Sequence, residues 1–205
     1  MTNPLTLHHH VWLPRPGASH TVVALHGTGG DENDLVPLVK QLYPESNILG
    51  IRGNVTENGY PRFFRRFAEG LFDEADIIAR TNDLTTFWET AAPAYKLDPA
   101  TTTWLGYSNG ANMIAALLWQ TDTVQDAVLL RAQAPFQNDT VKPAKTKANV
   151  KLLTGAYDTI VSTSESARLR DTLRNRGHNV EQHFLPTGHQ LSQMDLGALS
   201  QTSAA

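Results

Sequence analysis

The sequence predicts an α/β architecture, a mostly parallel central sheet with helices on both faces. Three observations carry this. Short apolar, β-branched runs recur along the chain, at Thr21 to Leu25, Asn47 to Ile51, Thr102 to Leu105, Ala127 to Leu130, Val150 to Thr154 and Val180 to Leu185. Unbroken runs of this kind mark strands buried on both sides. Helical patterns alternate with them, and such alternation, joined by right-handed crossovers, builds a parallel sheet. Finally, 205 residues suit one α/β domain, so residues 1–205 are expected to form a single unit.

Each element has its own signal. His8 to His10, with Val11, Trp12 and Leu13, reads as an edge strand rather than a metal clip, because no second ligand pair stands nearby at helical spacing. Thr21 to Leu25 lies between a Pro-Gly segment and His26-Gly27-Thr28-Gly29-Gly30. Leu35, Leu38, Val39 and Leu42 then share a helical face, with Asn33 as the expected N-cap and Pro37 early enough to tolerate its missing N–H. From Arg52 to about Arg80 the pattern blurs, and a helix is expected from Asn82 or Asp83 through Tyr95. Asn109 to Gln120 is apolar almost all round, as befits a helix against the middle of a sheet. Ser162-x-x-Glu165 is a capping box opening a helix that ends near Gly177. Leu191, Met194 and Leu199 suggest a closing helix.

Composition excludes several classes of function. A net charge of -3 supplies no field for a phosphate backbone, so no nucleic-acid partner is expected. The absence of cysteine removes disulfides, thiolate metal sites and cysteine nucleophiles. Met1 to Leu5 lacks the basic start and apolar core of a signal peptide, and no run is long enough to span a membrane. The expectation is a cytoplasmic protein without membrane insertion.

The chemistry centres on Gly106-Tyr107-Ser108-Asn109-Gly110, a G-x-S-x-G pattern preceded by a strand and followed by a helix, the context that makes it persuasive. A serine hydroxyl needs a base within hydrogen-bond reach and an acid to orient that base. In a parallel sheet the loops beyond the strands share the edge where ligands bind. Asp158 follows the Val150 strand in a tight Gly-x-x-Asp turn; its rival is Asp139, in an unpatterned loop, and the bland role of Asp158 is to cap the following turn through its own backbone. His189 follows the last strand, whereas His183 lies inside that strand and His178 before it. Ser108, Asp158 and His189 stand in the chain order of α/β-hydrolases. Negative charge on a tetrahedral intermediate needs backbone donors, expected from the N–H groups of Asn109 and Thr28. His26 is expected to brace the glycine loop, which is no phosphate loop because no Lys-Ser or Lys-Thr follows it.

Leu25-His26-Gly27-Thr28-Gly29-Gly30-Asp31-Glu32, Arg52-Gly53-Asn54, Pro61-Arg62-Phe63-Phe64-Arg65-Arg66, the segment Gly106 to Asn112, and Gly188-His189 together resemble the small bacterial carboxylesterase/phospholipase group of α/β-hydrolases, relatives of the acyl-protein thioesterases. The resemblance runs from about His20 to Leu196. It implies the α/β-hydrolase fold without a large lid domain and hydrolysis of short-chain acyl esters, a small-molecule substrate class. One departure is Thr159, where the group has proline after the acid.

Phe63, Phe64, Tyr107, Ile160 and Leu191 are the candidate pocket residues beside Thr28, with core packing as the alternative for the aromatics. Arg62, Arg65 and Arg66 are expected to pair with Glu69, Asp73 and Glu74 on a solvated surface. The leading reading is a serine carboxylesterase that needs no metal and no organic cofactor. The alternatives are a thioesterase or lysophospholipase on longer chains, and a non-catalytic ligand-binding protein on the same fold. Whether the chain is a monomer or a homodimer stays open.

Overall fold

The structure, a computed structural model, describes residues 3–138 and 140–200. Asp139, the rival acid, and Met1-Thr2 lie outside the described residues. The chain runs β1 (His10–Leu13), β2 (Thr21–Leu25), α1 (Val36–Leu42), β3 (Asn47–Ile51), β4 (Val55–Glu57), β5 (Tyr60–Arg62), β6 (Arg66–Ala68), β7 (Leu71–Phe72), α2 (Glu74–Tyr95), β8 (Thr102–Tyr107), α3 (Asn109–Gln120), β9 (Asp126–Leu130), β10 (Asn149–Gly155), α4 (Thr163–Arg176), β11 (Asn179–Leu185) and α5 (Gln193–Ser200).

Seven strands form the main sheet in the order β1-β3-β2-β8-β9-β10-β11. All neighbours are parallel except β1, which pairs antiparallel with β3 and closes that edge. Strand side chains alternate between two buried layers. Val23, Leu25, Trp104, Leu129 and Leu152 join α2, α3 and α4 on one face. Val22, Ala24, Leu105, Val128, Leu130 and Leu153 meet Val36 and Val39 of α1 and Leu199 of α5 on the other. This is the α/β-hydrolase arrangement, with no large extra domain among the described residues.

Two helix starts differ from expectation. Asn33 is not a cap: residues before Val36 are in turns, Leu35 occupies the cap position without a side-chain bond, and Pro37 falls in the first turn. Helix α2 begins eight or nine residues early, at Glu74, because Asp73 accepts the N–H of Asp76 as a genuine N-cap. Asp76, in its first turn, is buried, accepting the N–H of Arg65 and pairing with Arg80. The rest of the irregular stretch holds two small hairpins, β4-β5 and β6-β7. Helix α4 matches its signals: the Ser162 hydroxyl accepts the Glu165 N–H, and Gly177 ends the helix at φ 107°. Among the described residues no helix is long and apolar enough to cross a membrane.

Candidate active site

Strand β8 lies in the middle of the sheet, and the turn after it throws Ser108 into φ 50°, ψ −112°, an unusual conformation for a residue with a side chain. The two flanking glycines are what allow the turn. A Cβ on Gly106 would sit 2.7 Å from the backbone nitrogen of Ala111, and one on Gly110 would sit 2.2 Å from the carbonyl oxygen of Leu25. Strand and helix cross too closely there for any side chain.

Two later loops arrive at the same edge. His189, beyond β11, places Nε2 3.0 Å from Ser108 Oγ and Nδ1 2.8 Å from Asp158 Oδ2. Asp158, beyond β10, has a side chain with no solvent exposure, and its other oxygen accepts the N–H groups of Ile160 and Val161 at 2.8 and 2.9 Å. One oxygen therefore caps the turn while the other bonds the imidazole. With Nδ1–H donating to the carboxylate, Nε2 is left as the acceptor for the serine hydroxyl. The loop that carries Asp158 and Thr159 is anchored by the Ala156 and Tyr157 N–H groups, which donate to the carbonyls of Leu185 and Thr187.

The glycine loop after β2 comes up beside the serine. His26 braces it: Nδ1–H donates to the carbonyl of Gly27 at 2.5 Å, and Nε2 accepts the N–H of Gly53 at 3.0 Å. Burial keeps this imidazole neutral by lowering its pKa. Thr28, Ser108 and Asn109 line one cleft. Among the described residues, neither the Thr28 nor the Asn109 N–H donates to a protein acceptor.

Arginine placement corrects the surface expectation. Arg65 does pair with Asp73, and also with Asp76. Arg66 pairs with Glu57, not with Glu69 or Glu74. Arg62 is 2% exposed; Nη1 donates to Thr28 Oγ1 at 2.6 Å, Nε donates to the Phe64 carbonyl, and the nearest carboxylate is Glu57 at 3.5 Å. Burial first, and then repulsion from Arg66, bring its pKa down to about 10. The hairpins fold over this guanidinium and draw it inside.

The other candidate pocket residues divide. Phe63 and Phe64 are fully buried in the core and line no cavity beside Ser108. Ile160 joins Thr28 in the Ser108 cleft, about 40 Å³ in volume. Tyr107 and Leu191 line a separate open groove of about 610 Å³ between α1 and α5, which Ser108 does not line. Tyr107 also donates its hydroxyl to the His189 carbonyl at 3.1 Å.

Sequence reasoning missed Arg131. It follows β9 at φ 57°, is 1% exposed, and grips Asp195 of α5 through two bonds of 2.7 and 2.9 Å. It also donates to the Gly188 carbonyl at 2.8 Å, the Thr187 hydroxyl at 3.0 Å and the Gln190 carbonyl at 3.3 Å, holding the His189 loop from three sides. The available signal was a charged residue set directly against the apolar run Val128-Leu129-Leu130. Asn112 and Gln133, which complete the Ser108 cleft, were also missed.

No protein-family model matches the chain. The putative hydrolase MhqD of Bacillus subtilis (strain 168) is 37% identical over 177 residues, spanning 86% of this chain and 88% of that protein. The crystal structure of the Bacillus cereus carboxylesterase superposes with a TM-score of 0.90 at 38% identity, covering 98% of both chains. The structure of YahD with malic acid superposes with a TM-score of 0.86 at 25% identity, covering 96% of this chain and 98% of that one.

Proposed function

The chain belongs to the α/β-hydrolase carboxylesterase family and is an ester hydrolase, and from that premise we propose that it cleaves short-chain acyl esters with Ser108 as nucleophile, His189 as base and Asp158 as the orienting acid, within a single domain spanning residues 1–205. The observation that carries this is the hydrogen-bonded chain from Ser108 Oγ through the His189 imidazole to Asp158, at 3.0 and 2.8 Å.

Nε2 of His189 takes the hydroxyl proton as Oγ attacks the ester carbonyl. The Thr28 and Asn109 N–H groups bind the oxyanion, a role supported by their having no other acceptor among the described residues. The imidazolium gives its proton to the departing alkoxide, leaving an acyl-enzyme and an alcohol. Water, deprotonated by the same nitrogen, then attacks the acyl carbon, and the proton returns to Oγ as the acid leaves. Asp158 holds the productive tautomer throughout.

The short-chain preference is supported by the small size of the Ser108 cleft, about 40 Å³ in volume. The long-chain reading has one observation in its favour, the groove of about 610 Å³ flanked by Leu35, Leu38, Leu191 and Leu196, but that groove does not reach Ser108.

A fluorophosphonate probe should label the wild type and leave Ser108→Ala unlabelled. A series of p-nitrophenyl esters should give its highest kcat/KM at acetate or butyrate. Labelling that survives Ser108→Ala would remove the nucleophile assignment, and a maximum at palmitate would remove the short-chain one.

A further inference from the structure

The cleft beside Ser108 holds more hydrogen-bond donors than an alkyl chain can use. Asn109 and Asn112 stand three residues apart in the first turn of α3, so their side chains are neighbours. Each amide has its oxygen pinned by a backbone donor. Asn109 Oδ1 accepts the N–H of Phe63 at 2.7 Å, and Asn112 Oδ1 accepts the N–H of Gln133 at 2.9 Å. These bonds settle which end of each amide is which and leave both NH₂ groups over. Asn109 is 2% exposed and its Nδ2 is buried without a partner. Among the described residues, Asn112 Nδ2 makes no hydrogen bond either.

Arg62 lines the same cleft. Its Nε and Nη1 are used by Phe64 and Thr28, and among the described residues Nη2 has no hydrogen-bond partner. Arg66 and Glu69 stand at the cleft as well, with Arg66 engaged by Glu57. The positive end of the α3 dipole points the same way. A buried donor without an acceptor is unfavourable, so unused donors converging on one space call for an acceptor-rich guest.

Which part of the ester enters follows from the proton transfers. The leaving oxygen must lie within reach of His189 Nε2, and His189 does not line this cleft, whereas Thr28 and Asn109 do. The acyl substituent therefore takes the cleft. We infer that the preferred acyl group is short and ends in a carboxylate, as in a half-ester of a short dicarboxylic acid, with that carboxylate received by Arg62 and the amide nitrogen of Asn112. The inference rests on Ser108 being the nucleophile.

The test compares ethyl hydrogen succinate with ethyl butyrate, which differ by a carboxylate in place of the terminal methyl, by pH-stat titration of wild type and Asn112→Asp. That substitution keeps the oxygen that accepts the Gln133 N–H and replaces the donor by a negative charge. The wild type should prefer the succinate ester by about tenfold or more in kcat/KM, and Asn112→Asp should lose that preference chiefly through KM. As a measurement needing no variant, free succinate should inhibit the wild type competitively at lower concentration than butyrate. A wild type that hydrolyses butyrate at least as well as succinate while still taking the fluorophosphonate label would overturn the acyl assignment alone. An unchanged ratio in folded Asn112→Asp would overturn it too. Failure to hydrolyse either ester together with failure to label would overturn both this assignment and the Ser108 reading.

Discussion

Replacing Arg131 by methionine separates folding from positioning at the His189 loop. The guanidinium side chain has no solvent exposure, and its partner carboxylate on Asp195 is 2% exposed. Methionine of similar length removes two bonds to that carboxylate and three to the loop, leaving Asp195, among the described residues, with the N–H and hydroxyl of Ser192, at 2.8 and 3.1 Å. Breaking a buried pair from one side costs about 3–5 kcal/mol, because the other charge stays behind uncompensated. That is a large share of a typical total of about 5–15 kcal/mol. Released from Arg131, the carbonyls of Gly188 and Gln190 no longer fix the imidazole between them, and a displacement of about 1 Å is enough to lower kcat about 10²-fold. Urea unfolding followed by fluorescence of the four tryptophans measures the first effect; kcat on p-nitrophenyl acetate, under conditions where the variant is folded, measures the second. The double variant Arg131→Met/Asp195→Leu removes the orphan carboxylate and should regain much of the stability while kcat stays low. A single variant within about 1 kcal/mol of wild type and with unchanged kcat would refute the reasoning, as would a double variant that recovers kcat along with stability.

Two further outcomes follow. Asp158→Asn keeps an oxygen for the Ile160 and Val161 N–H groups but reverses the favoured imidazole tautomer, so kcat should fall about 10⁴-fold with little change in KM; a loss below tenfold in steady-state assays would show that the carboxylate does not orient His189. Burial holds His8, His20, His26 and His178 below the ordinary histidine pKa. The unfolded chain therefore takes up more protons as pH falls through about 6.5, and stability drops by at most about 1.4 kcal/mol per pH unit for each histidine. This contribution is fully present above the unfolded value and is lost on acidification. Urea midpoints measured across that range should decline, and less steeply in His20→Gln; a flat wild-type midpoint would contradict it.

The main-sheet strands and α3 were legible because burial on both faces writes itself as an unbroken apolar run, which needs no knowledge of distant partners. The hairpins of residues 55–72 were not. Their strands are two or three residues long, and what organises them is a buried arginine whose partners, Thr28 and Glu57, have no periodic relation to it. The start of α2 was hidden for the same reason, since Asp76 reads as a solvated residue until Arg65 and Arg80 are brought to it. Within the candidate site, that Ser108, Asp158 and His189 reach one edge of the sheet was legible because each follows a strand end, and strand ends are visible. Arg131 and Asp195 are separated by 64 residues, and each makes sense in the interior only because of the other.

Ser108 sits at φ 50°, ψ −112°, a region where any side chain strains the backbone by about 1–3 kcal/mol. Glycine would relieve that tension, so Ser108→Gly is a chain that folds more firmly and has lost its hydroxyl. With Ser108 as the proposed nucleophile, thermal robustness and turnover pull against one another at a single peptide unit, and a screen for hardier variants that does not also score activity will be drawn toward the residue it can least spare.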